Sequence, residues 1–252
     1  MPIFYYHIKK DTQEIAVEEK TLIHHLRDVM RVGKNESIRF FDNNYLYVTK
    51  VKEVTKTKIV CHIERKTRAK QFLPEISIVQ SIIKPQLLEE VIKLCVPVKV
   101  QTFFFTKMAK SQKYNIEKKI QRFNAIALSV AEQSEVAFIP KVAMLNGMED
   151  FFKLKDRSFS VALEPSAQQN IMSLLKNTMP KKLSIMIGPE GGFSKKEIEM
   201  FNVYNIPFVS LNTGIFRSEL AGFASALIIR ELALNRCLLY TSDAADDMQC
   251  VD

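Results

Sequence analysis

Over the first 70 residues, apolar and polar positions alternate in short runs; beyond them, compact apolar runs take turns with stretches of helical periodicity. The first pattern predicts strands at 3–8, 37–41, 45–54 and 58–65, rich in β-branched and aromatic residues, with Asp42-Asn43-Asn44 as a turn between two of them. One helix interrupts these strands. From Thr21, apolar Leu22, Leu26, Val29 and Met30 fall at helical spacing, and Arg27 and Arg31 stand one turn apart on a neighbouring face. A small β-barrel with an inserted helix over residues 1–70 follows from this alternation. The charged stretch 66–74 ends at Pro74 and marks the domain boundary.

The second pattern predicts strands at 76–79, 98–105, 159–163, 183–187 and 208–211, with helices at 85–94, 170–175, from Ser194, and 218–236. A longer helix is traced by Ile116, Ile120, Phe123, Ala127 and Val130, running towards Ser134. Alternating strand and helix predict an α/β domain over residues 71–237, built on a parallel sheet covered on both faces. Ligands in such sheets gather at the carboxyl ends of the strands.

Three strand ends carry unusual residues: Leu163-Glu164-Pro165-Ser166, the turn Gly188-Pro189-Glu190-Gly191-Gly192-Phe193, and Leu211-Asn212-Thr213-Gly214-Ile215-Phe216-Arg217-Ser218-Glu219. In the second, Pro189 fixes φ, Gly191 and Gly192 admit positive φ and close backbone approach, and Ser194 with Glu197 forms a capping box that starts a helix. The spacing matches neither a P-loop nor Gly-x-Gly-x-x-Gly. On its own the turn is equally a structural connection or a ligand cradle.

Charge adds a partner class. The formal charge is +8, yet residues 238–252 contain Asp243, Asp246, Asp247 and Asp252 and no lysine or arginine, so the preceding chain is more basic than the total. A basic body suits a polyanion such as nucleic acid, and also serves solubility. Hydrophobic residues make up 47% of the chain and no run approaches the length of a membrane helix. The start, Met1-Pro2-Ile3-Phe4-Tyr5-Tyr6, lacks a signal core, and Cys61, Cys95, Cys237 and Cys250 form no Cys-x-x-Cys pair. A cytoplasmic protein with reduced thiols and no metal site is expected.

The glycine turn followed by the Ile215-Phe216-Arg217-Ser218-Glu219 loop resembles the RsmE-type 16S rRNA (uracil-N3)-methyltransferases of the SPOUT superfamily. The similarity extends to His24-His25-Leu26, Val29, Arg31 and Ile38-Arg39-Phe40-Phe41-Asp42, and to Ala131-Glu132-Gln133-Ser134 with Pro140, covering roughly residues 1–236. The resemblance implies a PUA-like β-barrel followed by a domain whose C-terminal part is threaded as a deep trefoil knot. It also implies an S-adenosyl-L-methionine pocket formed by Leu163, Glu164, Pro165, Gly188, Pro189, Glu190, Gly191, Gly192, Leu211, Asn212, Ile215 and Phe216. Transfer to uridine N3 calls for proton removal and stabilisation of the developing anion; Arg217 is the candidate for the second task and Glu219 for the base, or else for a helix-dipole partner. Arg27 and Arg31 then read as an rRNA-binding surface, and a homodimer acting on 16S rRNA or the 30S subunit is implied.

Several positions depart from the family pattern. Val136 stands where an arginine is usual, Lys93-Leu94-Cys95-Val96 where Glu-Leu-Gly-Val is common, and Asn212 and Leu220 replace a glycine and a threonine. Rival expectations are a ribose 2′-O-methyltransferase of the SpoU type, favoured by Ser210-Leu211-Asn212, and a catalytically silent rRNA-binding assembly factor. The tail from Leu238 follows neither the family nor the basic body, and reads as an artefact or a disordered extension.

Overall fold

The computed structural model describes residues 3–9, 12–154, 158–176 and 179–243. They form two compact units, Met1–Lys70 with Ala131–Ile139, and the remainder. The segment Ala131–Ile139, expected within the second domain, therefore clusters with the first unit.

The first unit is a five-stranded sheet in the order β1-β3-β4-β5-β2, from β1 (Ile3–Tyr5), β2 (Glu14–Val17), β3 (Ser37–Phe41), β4 (Tyr45–Val54) and β5 (Ile59–Arg68). Along β4 the period of two buries Tyr47, Thr49 and Val51. They join Phe4, Ile15, Val17, Ile38, Phe40 and Ile59 in a core closed by Ile23 and Leu26. The predicted turn forms: Asp42 Oδ1 accepts from the backbone N–H of Asn44 (3.0 Å) and Tyr45 (2.8 Å), and Asn43 takes φ 72°.

Glu14–Val17 pairs with β5 although four residues are too few to show a period in the sequence. Two expectations differ from the structure. The charged residues 66–68 belong to β5 and not to a connector. Among the described residues no strand pairing joins β1 to β2, so the sheet is an open half-barrel and not a closed one.

The second unit contains a six-stranded, fully parallel sheet in the order β11-β9-β10-β6-β7-β8. Its strands are β6 (Glu75–Ser81), β7 (Val100–Thr106), β8 (Lys141–Leu145), β9 (Phe159–Leu163), β10 (Lys182–Ile187) and β11 (Phe208–Val209). Helices α4 (Met148–Phe152) and α6 (Lys195–Val203) pack aromatic residues Phe151, Phe152 and Phe201 over the face holding Val79 and Met186. On the opposite face α7 (Ser218–Asp243) crosses so closely that a Cβ at Gly222 would lie 2.7 Å from Ile187 Cδ1. Strand β8 and helix α4 were missed, since Val142 to Leu145 mixes buried and half-buried residues without a clean period.

Helix α7 continues past the expected end at Arg236 to Asp243, so residues 238–243 of the off-pattern tail are helical, while 244–252 lie outside the described residues. Arg230 fastens α7 to the sheet. It is buried and donates to the carbonyls of Val98 (3.4 Å), Leu73 (3.0 Å) and Lys99 (2.9 Å), and burial pushes its pKa down to about 10.

Candidate active site

The strands β11, β9 and β10 are neighbours at one side of the parallel sheet, so their carboxyl ends and the loops that follow meet. A cleft of about 810 Å³ opens there. Eleven of the twelve expected cofactor residues line it: Leu163, Glu164, Pro165, Gly188, Pro189, Glu190, Gly192, Leu211, Asn212, Ile215 and Phe216. Gly191 does not. Its place is against Lys110, whose Cδ would stand 3.2 Å from an added Cβ.

Local chemistry fixes each wall. In the glycine turn the N–H of Gly192 donates to Pro189 O (2.8 Å), with Gly192 at φ 69°. The capping box forms as predicted: Glu197 Oε2 accepts from Ser194 N–H (2.7 Å) and Oγ (2.8 Å), while Ser194 Oγ accepts from Glu197 N–H (3.3 Å). The loop after β9 is pinned to the one after β11, because Ile171 N–H donates to Ser210 O (3.0 Å) and Ser210 N–H to Gln169 O (2.9 Å). Asn212 takes φ 57°, a left-handed conformation that asparagine tolerates better than other side chains, which accounts for its standing where glycine is usual.

A further wall was not legible from the sequence. The loop after β7 reaches the glycine turn: Lys110 Nζ donates to Gly191 O (2.7 Å) and Phe193 O (3.2 Å), Gln112 Nε2 to the Glu190 carboxylate (3.2 Å), and Ala109 N–H to Glu197 Oε1 (2.8 Å). These partners lie some eighty residues apart in the chain, beyond any local rule. Only the charge of Lys110 hinted at them.

The two candidate catalytic residues are placed differently. Arg217 is 76% exposed at its side chain, whereas Glu219 is 7% exposed, and their nearest charged atoms are 3.2 Å apart. Neither lines the cleft. Glu219 stands in the first turn of α7, where a carboxylate meets the positive end of the helix dipole.

In the first unit, α1 (Lys20–His24) passes into a π-helical turn over His25–Val29, and Arg31 lies beyond it at φ 55°. The expected one-turn pairing of Arg27 with Arg31 on a helix face is therefore not formed. Arg27 grips Asp28 through Nε (2.6 Å) and Nη2 (2.7 Å), and Nη1 donates to Lys56 O (3.2 Å). The guanidinium holds the Asp28 carboxyl well below the usual carboxylate range. Glu132, from the Ala-Glu-Gln-Ser segment, accepts from Tyr5 N–H (2.9 Å); burial raises its pKa and that N–H opposes the rise. Among the described residues no group of three or more His, Cys, Asp and Glu gathers to hold a metal ion, and no helix is long and apolar enough to cross a membrane.

The family model for the RNA methyltransferase domain matches residues 69–230, which include every loop of the cleft. The chain belongs to the RNA methyltransferase family. The model for the RNA methyltransferase PUA domain matches residues 19–64. Relatives of this methyltransferase chain include the ribosomal RNA small subunit methyltransferase E of Rickettsia conorii, 22% identical over 88% of this chain and 91% of that protein. The Bacillus subtilis protein of the same name is 27% identical over 79% and 83%. A crystal structure of the Neisseria gonorrhoeae enzyme of that name, bound to S-adenosyl methionine, superposes with a TM-score of 0.81 at 21% identity, covering 92% of this chain and 98% of that one. The resemblance read from the motifs is thus borne out, and the methyltransferase fold with its α/β sheet and PUA region is shared.

Proposed function

We propose that the chain transfers a methyl group from S-adenosyl-L-methionine to N3 of a uridine in 16S rRNA, acting on the 30S subunit or its RNA. The observation that carries this reading is the convergence of three separate strand ends, from β9, β10 and β11, on one cleft.

The residues present fit the cofactor. The cleft's volume lies in the range of small-molecule sites, and its lining alternates apolar Leu163, Leu211 and Phe216 with close backbone at Gly188 and Gly192. An added Cβ at Gly188 would lie 3.3 Å from the Phe193 ring, so a side chain there would crowd the ring that lines the cleft. Glu164 and Glu190 supply acceptors at the lip for hydroxyl and ammonium groups. When bound, the cofactor supplies an electrophilic methyl group on a sulfonium. Arg217, exposed beside the cleft, is placed to stabilise negative charge on the uracil or to grip a phosphate, and Glu219 orients it from the first turn of α7. With its carboxylate buried against Arg217, Glu219 serves better as that anchor than as the base.

The finer architecture belongs to the same reading. Strand β10 lies between β9 and β6, and α7 returns across both β10 and β6, an arrangement that suits threading of the C-terminal segment as a deep SPOUT-type trefoil knot. The first unit, residues 1–70 with Ala131–Ile139, acts as a PUA-like RNA-binding module in which Arg27 and Arg31 meet phosphate, and the rest of the chain from residue 71 to 237 forms the catalytic domain. Exposed Ile215 on the last loop, with Leu227 and Leu234 two turns apart on one face of α7, suits a homodimer, and a cytoplasmic place goes with the rRNA substrate.

The test is incubation of the purified chain with labelled cofactor and 30S particles or naked 16S rRNA, followed by nucleoside mass spectrometry. Label in 3-methyluridine is expected. Label on a ribose 2′-oxygen places the chain with the other branch of methyltransferases, and absence of both transfer and cofactor binding sinks the reading.

A further inference from the structure

Gln80 is the next-to-last residue of strand β6 and is fully buried, outside the residues that line the cleft. Its Nε2 stands 2.7 Å from Ser218 Oγ, and Ser218 Oγ stands 2.9 Å from Gly188 O. Ser218 and Gly188 do line the cleft. The direction of this chain of bonds follows from chemistry. A carbonyl only accepts, so the single Ser218 proton is committed to Gly188 O, and Gln80 has to be the donor to Ser218. The amide orientation is thereby fixed.

This orientation has a visible cost: among the described residues, none gives the buried Gln80 Oε1 a hydrogen bond. An apolar side chain would avoid that penalty, and a half-satisfied buried amide directly behind a binding cleft points to function more than to packing. We propose that Gln80 is a positioning residue of the cofactor cleft, which by donating to Ser218 keeps that hydroxyl turned towards the Gly188 carbonyl and so sets the shape of the glycine turn. The inference rests on the reading of the cleft as an S-adenosylmethionine site.

The substitution Gln80→Glu tests it with almost no change in shape. An ionised carboxylate accepts only, so Ser218 turns its proton to it and Gly188 O loses its donor; the protonated acid donates as the amide did. S-adenosylmethionine binding is measured by calorimetry between pH 5 and 9 for the wild-type chain and the variants Gln80→Glu and Gln80→Leu. The wild-type profile is the reference, since it already contains the titration of the cofactor's own α-amino group at about pH 8. Gln80→Glu should bind about tenfold more weakly at the alkaline end, as loss of one buried hydrogen bond implies, and recover as the acid protonates. Gln80→Leu should be weak throughout. The urea midpoint is measured beside the affinity: a purely structural role lowers the two together, which overturns the proposal, whereas positioning lowers the affinity of Gln80→Leu at an unchanged midpoint. A Gln80→Glu affinity that coincides with wild type at every pH overturns the proposal alone, whereas no binding by the wild-type chain overturns the cleft reading and this proposal with it. Should Gln80→Glu fail to fold, Ser218→Ala removes the same bond to Gly188 O, and an unchanged affinity there overturns the proposal equally.

Discussion

Replacing Glu197 by alanine removes one small carboxylate that ties three pieces of chain together. Glu197 is 6% exposed and accepts from Ala109 N–H, Ser194 N–H and Ser194 Oγ. Truncation leaves two backbone donors without partners, each worth about 1–2 kcal/mol in a partly buried setting, and removes half of the capping box, worth about 1 kcal/mol. Part of this is recovered by water, so the expected loss is about 3 kcal/mol, which in a chain of this size lowers Tm by roughly 6–12 °C. Differential scanning calorimetry measures it. Ser194→Ala should cost less, about 1 kcal/mol, because Ser194 N–H and Ala109 N–H keep their carboxylate. The double variant should fall short of the sum, since both side chains serve the same bonds. A Glu197→Ala chain that melts within 2 °C of wild type refutes the assignment of Glu197 as a tie between the β7 loop and the glycine turn.

Arg230→Met keeps an unbranched apolar stem but takes the donor from three carbonyls, and an unfolding free energy lower by about 2–3 kcal/mol in urea titration is expected, offset in part by relief of the buried charge. Gly192→Ala forces a Cβ onto a φ of 69° and should cost about 1–2 kcal/mol, whereas Gly214→Ala, where nothing lies within 4 Å and φ is ordinary, should leave Tm unchanged. Burial pushes the Cys61 thiol up to about 11, so at pH 8 about one molecule in a thousand carries the thiolate; peptide mapping should find Cys61 unlabelled by iodoacetamide in the native chain and labelled in urea. Because the unfolded thiol ionises near its ordinary value and the folded one does not, the same group withdraws stability as pH rises above about 9, visible as a falling urea midpoint.

The glycine turn and its helix start were legible because their rules are local: Ser194 and Glu197 are three residues apart, and Gly192 sits at the one positive φ of the turn. The sheet order was not. Lys182 stands beside Glu75 and Ile187 beside Gln80, and no periodicity carries such long-range pairings. The Ala131-Glu132-Gln133-Ser134 segment is instructive in another way. It is visible as a motif, yet its helical pattern assigns it to the second domain, while its half-buried carboxylate serves the edge of β1 in the first unit. Glu219 shows the limit for chemistry: its position beside Arg217 is plain in the sequence, but whether it faces the cleft or its neighbour depends on packing of α7.

Strand β10 fills a slot between β9 and β6, and the glycine turn hangs from its end. The slot's two sides come from earlier in the chain, one of them more than a hundred residues back, so seating the central strand has to close a long loop. Loop-closure entropy makes such an arrival slow. Cofactor binding during refolding is therefore a clock for completion of the sheet: a chain with both flanking strands formed and β10 still outside has helices and much of its core, but no glycine turn in place and nothing for the ligand to enter.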